Sequence, residues 1–274
     1  MIDIKFSSLS DTPKDKNGNY KDPDRHSKTL REYHMYLWSK HLQSGHFFSL
    51  DKYSQGRMIH KFGSQELVLS SDSIGHTYRK WPEMKDIIKH ILPNEIDSFL
   101  TLCTSIGGYI IFPAKKVNNH FTINQSRGVN KQICDRWDLT LECIRLYYSN
   151  QPSPLSKTLA NYNSFFNLFG DFKGYVQYFL LQDLVSKDYN SVKFYLPHNK
   201  FDLNPIPKNV SEYKTYMKNV MTFISERNLR YSILKDMDKL DKGDFKADIK
   251  CEKVENKLNC FDKFGILKED LNKK

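Results

Sequence analysis

The chain has 274 residues with 18 Phe, 16 Tyr and 3 Trp, an apolar content that excludes an intrinsically disordered protein. The formal net charge of +10 favours an acidic partner such as RNA, DNA, an anionic membrane or an acidic protein, although frequent Lys, Asn and Ile give a similar charge through composition alone. Five cysteines form no CxxC pair, which fits a reducing cytosol better than a disulfide framework or a zinc site. The opening MIDIKFSSLSD lacks a signal-peptide pattern, and no apolar run reaches the ~18 residues of a membrane helix, so we expect a cytoplasmic protein without a membrane partner.

The N-terminal part of the chain alternates short strands with helices. Alternating apolar residues predict an edge strand at 2–6, and helical spacing after Ser27 or Thr29 predicts a helix at 27–42. Three further strands are expected in HFFSL, RMIHKF and ELVLS, followed by helices at 81–91 and 93–104. The segments YIIFP and FTIN predict a β-hairpin that leads directly into the next helix.

The C-terminal half is predicted to be mainly helical. Dense apolar and aromatic spacing indicates helices at 156–169, 172–186 and 209–230, with one strand at 192–196. Towards the end the composition becomes charged and weakly periodic, which is typical of a loosely attached tail or a protein-binding segment. We therefore predict an α+β fold, a mainly antiparallel sheet with a helical C-terminal half packed on it. It forms one domain over residues 1–235, with the tail at 236–274.

The stretch 122–148, TINQSRGVNKQICDRWDLTLECIRLYY, carries the most unusual pattern in the chain. It predicts a strand end, a turn and one helix of about six turns, with apolar residues on two separate faces. The charged side chains collect on one stripe: Arg127, Lys131, Asp135, Asp138, Glu142 and Arg145. Arg136 lies outside the stripe among apolar residues, so we expect it to be paired, with Asp183 as a candidate partner.

Two kinds of chemistry fit this stripe. Asp135, Asp138 and Glu142 are candidates for general acid–base catalysis or for holding a divalent cation, the one cofactor that the pattern suggests. The turn before the helix, with Asn124 and Gly128, offers free N–H groups to a phosphate. The candidate phosphate-binding cations are Arg127, Lys131, Arg145 and Lys40. The alternative is an ordinary capped helix with surface salt bridges between neighbouring turns.

Other catalytic and metal-binding templates are absent from the sequence. It contains no GxxxxGK[ST], GxGxxG, HExxH or GxSxG motif. The four histidines between residues 26 and 46 have no Cys or carboxylate at ligand spacing, so we assign no metal site to them. The loop DKNGNYKDPDRH begins like a calcium-binding EF-hand loop, but Tyr20 stands where that loop needs Gly and His26 where it needs Glu.

Several segments together resemble a family of uncharacterised bacterial proteins of unknown function. These segments are TLREYHMYLWSK, LSSDS, IGGYIIFP, TINQSRG, DRWDLTLECIR, SPL and FGDFKGYVQYFLLQDLV, and they lie within residues 22–230. The resemblance implies a single cytosolic α+β domain with the tail as an addition, and it brings no established activity or catalytic residues. This chain has Ser126 where the family pattern has Ala and Tyr147 where it has His, so no role of that His is carried over.

These features lead to one main functional hypothesis and two alternatives. The main hypothesis is a protein that acts on nucleic acid or a nucleotide, as a toxin-like or phage-defence effector. The first alternative is a transferase that uses a nucleotide such as NAD, with Arg127 on the pyrophosphate. The second is a non-enzymatic protein-interaction module, in which the stripe is an internal salt-bridge network and the tail binds a partner.

Overall fold

A computed structural model of the chain describes residues 2–50, 52–54, 56–198 and 200–240. Antiparallel strands and helices share the first half and helices dominate the second, so the fold is α+β, as the sequence predicts. The domain boundary expected between residues 235 and 236 falls inside the last helix, and the predicted tail from residue 241 onward lies outside the described residues.

Ten α-helices are formed by the described residues. They are α1 (Pro23–His26), α2 (Lys28–Trp38), α3 (Lys85–Ile88), α4 (Pro93–Cys103), α5 (Ile123–Val129), α6 (Trp137–Tyr148), α7 (Ser156–Ala160), α8 (Asn163–Phe166), α9 (Phe172–Tyr178) and α10 (Val210–Leu240). Side-chain caps fix several starts: the Ser27 hydroxyl accepts a bond from Leu30 N–H in α2, and the Asp171 carboxylate one from Gly174 N–H in α9. Within the described ranges, no helix is both long and apolar enough to cross a membrane.

Six short strands form two antiparallel sheets in the described part of the chain. They are β1 (Lys40–His41), β2 (Phe47–Phe48), β3 (Lys52–Ser54), β4 (Arg57–Phe62), β5 (Gln65–Ser73) and β6 (Tyr109–Pro113). β1 pairs with β2 as a small ribbon, and the other four follow the order β3-β4-β5-β6. Leu69 stands opposite both Met58 and Pro113, so β5 lies between β4 and the fully buried β6.

The longest helix, α10, packs against α4 and the short turn Ile106–Gly108 that precedes β6. A Cβ atom on Gly107 would lie 2.5 Å from Asn228 Oδ1 and 2.9 Å from the Ile224 carbonyl oxygen, so only glycine allows the helix to come this close. The Gly107 N–H donates to Asn228 Oδ1 at 2.8 Å. This contact joins the helical C-terminal half to the β6 side of the fold.

The prediction of one six-turn helix in the stretch 122–148 is wrong, because the structure divides it into α5 and α6. Asn130 leaves the helical conformation, with φ −73° and ψ 116°, and its side-chain oxygen accepts a bond from Gln132 N–H at 2.9 Å. Such a local bond competes with helix hydrogen bonding. Cys134 and Asp135 then adopt left-handed backbone conformations, with φ 49° and 58°. The charged stripe is therefore split between two helices and a turn.

Several shorter elements also differ from the sequence predictions. Residues 2–6 and 192–196, all of them described, form no strand, and FTIN is not a hairpin strand because Thr122 caps α5. The helices expected at 81–91, 156–169 and 172–186 are shorter pieces that include 3-10 turns, and the helix expected at 27–42 ends at Trp38. By contrast, the structure agrees with the sequence predictions for β4, β5, α4 and the start of α10.

Candidate functional site

Arg127 is the buried centre of the region that the sequence singles out. A capping box starts its helix: the Thr122 hydroxyl accepts a bond from Gln125 N–H, and the Gln125 side chain accepts one from Thr122 N–H. The Arg127 side chain points inward and is 1% exposed. Its acceptors are Asp72 Oδ2 at 2.5 Å, Thr140 Oγ1 at 3.2 Å, and the carbonyl oxygens of Ser73 and Asp135 at 3.1 and 3.0 Å. The protein itself therefore uses most of the N–H groups of Arg127.

Asp72, near the end of β5, supplies the carboxylate that neutralises Arg127. One carboxylate oxygen binds Arg127, the other accepts a bond from Ser73 N–H at 2.9 Å, and the side chain is 27% exposed. Burial raises the pKa of Asp72 and the charge of Asp135 adds to this, whereas Arg127 opposes both. A partly exposed carboxyl group with a raised pKa takes up a proton more readily than an ordinary aspartate does.

Asp135 lies next to Arg127 in the turn between α5 and α6. A Cβ atom on Gly128 would be 3.3 Å from Asp135 Oδ2, so the glycine lets this carboxylate lie against the end of α5. The left-handed conformations of Cys134 and Asp135 each cost roughly 1–3 kcal/mol. Tyr78, which is also left-handed, stabilises this turn by donating its hydroxyl to the Cys134 carbonyl at 3.0 Å. Strain of this kind concentrates at functional sites.

His76 is half-buried and completes the group of titratable side chains. Its backbone N–H and carbonyl bond to the Tyr216 hydroxyl at 3.0 and 3.2 Å, and its ring packs edge-on against Tyr78. Burial lowers the pKa of His76, and the positive charge of Lys80 lowers it further, whereas the negative charge of Asp135 raises it. The imidazole is therefore neutral at pH 7 and able to accept a proton. We call Asp72, His76, Arg127 and Asp135 the Arg127 cluster.

Of the predicted site residues, the structure brings Asn124, Arg127, Gly128 and Asp135 together at this cluster. The Asn124 amide donates to the Ser71 carbonyl at 3.4 Å, beside Asp72. The Asn124 Oδ1 atom is buried and has no hydrogen-bond partner among the described residues. This part of the sequence-based site is thus a local unit, although a single helix does not form it.

Asp138 lies instead in a separate buried pair with Arg136. The pairing predicted for Arg136 is confirmed, but the suggested partner is wrong, because Asp183 binds Arg230. Arg136 binds both carboxylate oxygens of Asp138, and Asp138 also accepts a bond from Tyr195 N–H at 2.8 Å. Both side chains are at most 2% exposed. Their contacts fix the start of α6 against the segment that leads to α10.

The remaining predicted site residues lie apart from the Arg127 cluster or at the surface. Glu142 and Arg145 pair with each other on α6 through two bonds of 2.7 Å, and proton transfer by Glu142 stays a prediction. Lys131 is exposed, and its carbonyl accepts a bond from Asn204 N–H. Lys40 lies on β1, where its ammonium donates to the Tyr178 carbonyl at 2.6 Å.

A metal ion at the Arg127 cluster would have two carboxylates and one imidazole as candidate ligands. In the described ranges of the chain, no group of three or more His, Cys, Asp or Glu side chains is arranged to hold a metal ion. Arg127 already binds one oxygen of Asp72 and thus competes with any cation for that carboxylate.

Asp72 and His76 are the two members of the cluster that sequence reasoning missed. Both belong to SSDSIGH, at the end of the apolar strand segment ELVL. The signal was a run of polar residues that directly follows a predicted buried strand. It does not identify a site by itself, because these residues lie more than fifty positions before Arg127 and nothing in the sequence pairs the two segments.

A separate cavity of about 560 Å³ opens between the turn after β1, the β4–β5 hairpin and the segment after α8. Its lining is mainly apolar and includes Leu42, Phe62, Leu67 and Phe169. The predicted site residues and the Arg127 cluster do not line it.

Comparison with known proteins gives a family but no function. Searches of curated proteins and of solved structures found no match to this chain. The profile of one family, described as a family of unknown function (DUF6994), matches residues 2–231, which contain every residue of the Arg127 cluster. The chain therefore belongs to this family of unknown function, DUF6994.

Proposed function

We propose that the protein is an enzyme that cleaves a phosphoester bond of a nucleic acid or nucleotide by general acid–base catalysis. The observation that carries this proposal is the position of Asp72 and His76 around one charged pair: Asp72 binds Arg127 and feels the charge of Asp135, and the charges of Arg127 and Asp135 also act on His76. The pKa of the carboxyl group is raised and that of the imidazole is lowered, both mainly by burial. Titratable groups whose pKa values move in opposite directions, both partly open to solvent, are typical of an acid–base pair.

Each side chain has a distinct role in this reaction. Neutral His76 removes the proton from the attacking hydroxyl group or water as its oxygen forms a bond to phosphorus. Asp72 becomes the general acid when it takes up a proton, which its raised pKa favours; it then donates that proton to the leaving oxygen as the old phosphorus–oxygen bond breaks, and returns to the carboxylate that pairs with Arg127. Arg127 acts by holding Asp72 in place rather than by binding phosphate, since its side chain is buried. Asp135 raises the pKa of Asp72 through its negative charge.

The charge around the cluster supports a phosphate-bearing substrate. Two carboxylates repel phosphate, so a polyanion approaches only where cations offset them. Lys80 lies close enough to His76 to lower its pKa, and both Lys80 and Lys131 are exposed. The net charge of +10 favours RNA or DNA over a neutral substrate.

A non-enzymatic interaction module is the second candidate function. It is favoured by the internal pairing of two of the predicted catalytic carboxylates, Asp138 with Arg136 and Glu142 with Arg145. On this alternative the Arg127 cluster only stabilises the fold.

The test is turnover of four substrates in parallel by the purified protein: single-stranded RNA, single-stranded DNA, ATP and NAD. We expect phosphoester cleavage in at least one of the first three. His76→Gln should lower kcat by about 100-fold or more, because a general base contributes at least that factor. Its thermal midpoint should stay close to that of the wild type, since the His76 side chain is only partly buried and the hydrogen bonds of His76 to Tyr216 are formed by its backbone. The matched control is His90→Gln at an exposed position, which should keep full activity.

The same experiment separates the alternatives. Turnover of NAD alone would favour a nucleotide-using transferase. Absence of turnover of all four substrates, with the protein folded, would remove the enzymatic proposal and favour the interaction module. Equal activity of His76→Gln and wild type would show that the acid–base pair is assigned to the wrong residues.

A further inference from the structure

A second buried arginine, Arg227 on α10, lies at the centre of the helical half. It is 0% exposed. Its Nε and Nη2 atoms donate to the Phe179 carbonyl at 3.0 and 2.8 Å, and its Nη1 atom donates to the carbonyls of Gly107 and Tyr109 at 3.0 and 2.6 Å. These four bonds leave one of its five N–H groups without an acceptor among the described residues.

Arg227 lacks the counter-charge that the other buried arginines have. Arg127 and Arg136 each form an ion pair with an aspartate, whereas Arg227 has no carboxylate within 4 Å in the described part of the chain. Carbonyl oxygens are neutral acceptors and leave the full positive charge in the core. An uncompensated buried charge costs several kcal/mol, so something in the native protein is expected to balance it.

Buried side chains around Arg227 have polar groups without a partner. The hydroxyls of Tyr175, Tyr195 and Tyr231 are buried, and none has a hydrogen-bond partner within the described residues. The Tyr231 ring lies 5.4 Å from the Arg227 guanidinium carbon, one helical turn along α10. Tyr175 lies one turn before Phe179, whose carbonyl binds Arg227. All three tyrosines interact electrostatically with Arg227.

His34 on α2 adds a donor whose direction is fixed. The Trp38 indole N–H donates to His34 Nδ1 at 3.1 Å, so a neutral imidazole carries its proton on Nε2. Burial, with the charge of Arg227 adding to it, lowers the pKa of His34 to about 3, so the ring is neutral at pH 7. Its Nε2–H group is buried and has no acceptor among the residues that the structure describes.

We propose that the protein encloses one small monovalent inorganic anion, of the size of chloride, beside Arg227 in its core. The unmatched groups are N–H and O–H donors next to a buried cation, with no unmatched carboxylate among them. N–H and O–H donors beside a buried positive charge are the complement of an anion. The anion would accept from the tyrosine hydroxyls and from His34 Nε2–H, and it would neutralise Arg227.

The tight packing around Arg227 limits the size of the ligand. Trp38 lies 5.2 Å from Phe179 and 6.0 Å from Tyr231 between ring centroids, and Tyr175 lies 4.9 Å from Phe179. Aromatic rings at such spacings are in contact. Packing this close excludes an organic ligand, so among ligands only a monatomic ion is compatible with it. A single buried water is the competing occupant, because it also satisfies polar groups in cores.

Bromide is the direct probe, because its anomalous X-ray signal distinguishes it from water. Crystals of the full chain grown with bromide as the only halide should show one anomalous peak within hydrogen-bond distance of Tyr231 Oη. In solution, the thermal midpoint should rise with chloride concentration and stay constant in gluconate of equal ionic strength, since a ligand that binds only the folded state stabilises it.

A matched pair of substitutions tests whether the site is the one named. Tyr231→Phe removes one donor and keeps the ring, so the chloride concentration needed for half of the midpoint shift should rise about tenfold. Tyr148→Phe removes a hydroxyl that donates to the Phe166 carbonyl, and it should leave the chloride dependence unchanged. The proposal is overturned if the density beside Arg227 is water without anomalous signal. Coinciding midpoints in chloride and gluconate would overturn it as well.

Discussion

Arg127 and Arg227, each with the side chains around it, form two buried arginine centres. The protein compensates the positive charge of the two arginines in opposite ways. Burial alone would lower the pKa of Arg127, but Asp72 and Asp135 outweigh it, so the pKa is raised. Burial also lowers the pKa of Arg227, and there the surrounding tyrosines do not outweigh it. At Arg127 the counter-charge is a carboxylate that reaches solvent and is available for chemistry. At Arg227 the counter-charge is missing, and we assign it to a bound ion.

This contrast shows what a buried cation reveals about function. Where the chain supplies the opposite charge, the side chain that carries this charge is the candidate for proton transfer. Where the chain supplies only neutral acceptors and unmatched donors, a bound ligand is the candidate for the missing charge. The hydrogen-bond partners of each arginine are therefore more informative than its burial, which is nearly equal in the two cases.

The largest expected effect concerns the neutral state of His34 in the Arg227 centre. His34→Asn places an oxygen near the Nδ1 position, where it accepts the bond from Trp38, and it does not take up a proton. The pKa of His34 is about 3 in the folded state and about 6.5 when unfolded, so between these values the unfolded state binds more protons and stability falls as pH falls. The wild type should lose about 1.4 kcal/mol per pH unit relative to the variant below pH 6.5.

Urea unfolding of both proteins at pH 7, 6, 5 and 4 measures this difference. Tyr148→Phe is a partly buried control that changes no group titrating in this range, so its difference from wild type should be constant. A constant difference for His34→Asn as well would show that His34 is not held neutral, and it would weaken the fixed N–H donor assigned to it.

The next effect tests the Arg127 centre by making it resemble Arg227. Asp72→Asn keeps the size of the side chain and removes the counter-charge, leaving Arg127 with neutral acceptors only. Breaking a buried ion pair in this way costs roughly 3–5 kcal/mol, measured as the free energy of unfolding in urea. The matched control, Asp86→Asn, breaks the exposed pair with Lys89 and should cause no measurable change. Equal behaviour of the two variants would contradict the contrast between the centres.

A smaller effect is expected from Asp24, which lies beside the same end of β5. Its carboxylate accepts bonds from the Ser71 N–H and hydroxyl, and burial raises its pKa to about 6. From pH 4 to pH 6 the folded state binds more protons than the unfolded state, so stability falls as pH rises, by about 2 kcal/mol. Asp24→Asn should remove this decrease in urea unfolding series at pH 4, 5 and 6. Persistence of the decrease in the variant would assign it to another group.

The sequence predicts those elements whose pattern is purely local. The apolar segments RMIHKF and ELVLS predict β4 and β5, and Pro93 at a first helical turn predicts the start of α4. The break between α5 and α6 was missed because helical spacing continues across it. Only the Asn130 side chain and two left-handed residues that are not glycine produce the break. The alternating segment FTIN predicts a strand, whereas Thr122 and Gln125 form the capping box of a helix.

The candidate site was predictable only in the segment that carries its own charges. An arginine among apolar residues predicts a buried pair, and Arg136 has one. The partner is Asp138, only two residues away, because the turn before α6 directs both side chains the same way. Asp72, His76 and the surroundings of Arg227 depend on contacts between distant segments, and a single sequence contains no signal for such contacts.

The position of α10 in the chain has a consequence for the biosynthesis of the protein. This helix is the last described element, yet Tyr213 donates to the Thr77 carbonyl, Arg227 to Gly107 and Phe179, and Asn228 to Ser105. A nascent chain therefore exposes the apolar surface of β6 and α4 until residue 231 has left the ribosome. Long-range closure of this kind is slow and leaves the unfinished chain prone to aggregation. Folding should therefore finish after synthesis of the domain rather than during it.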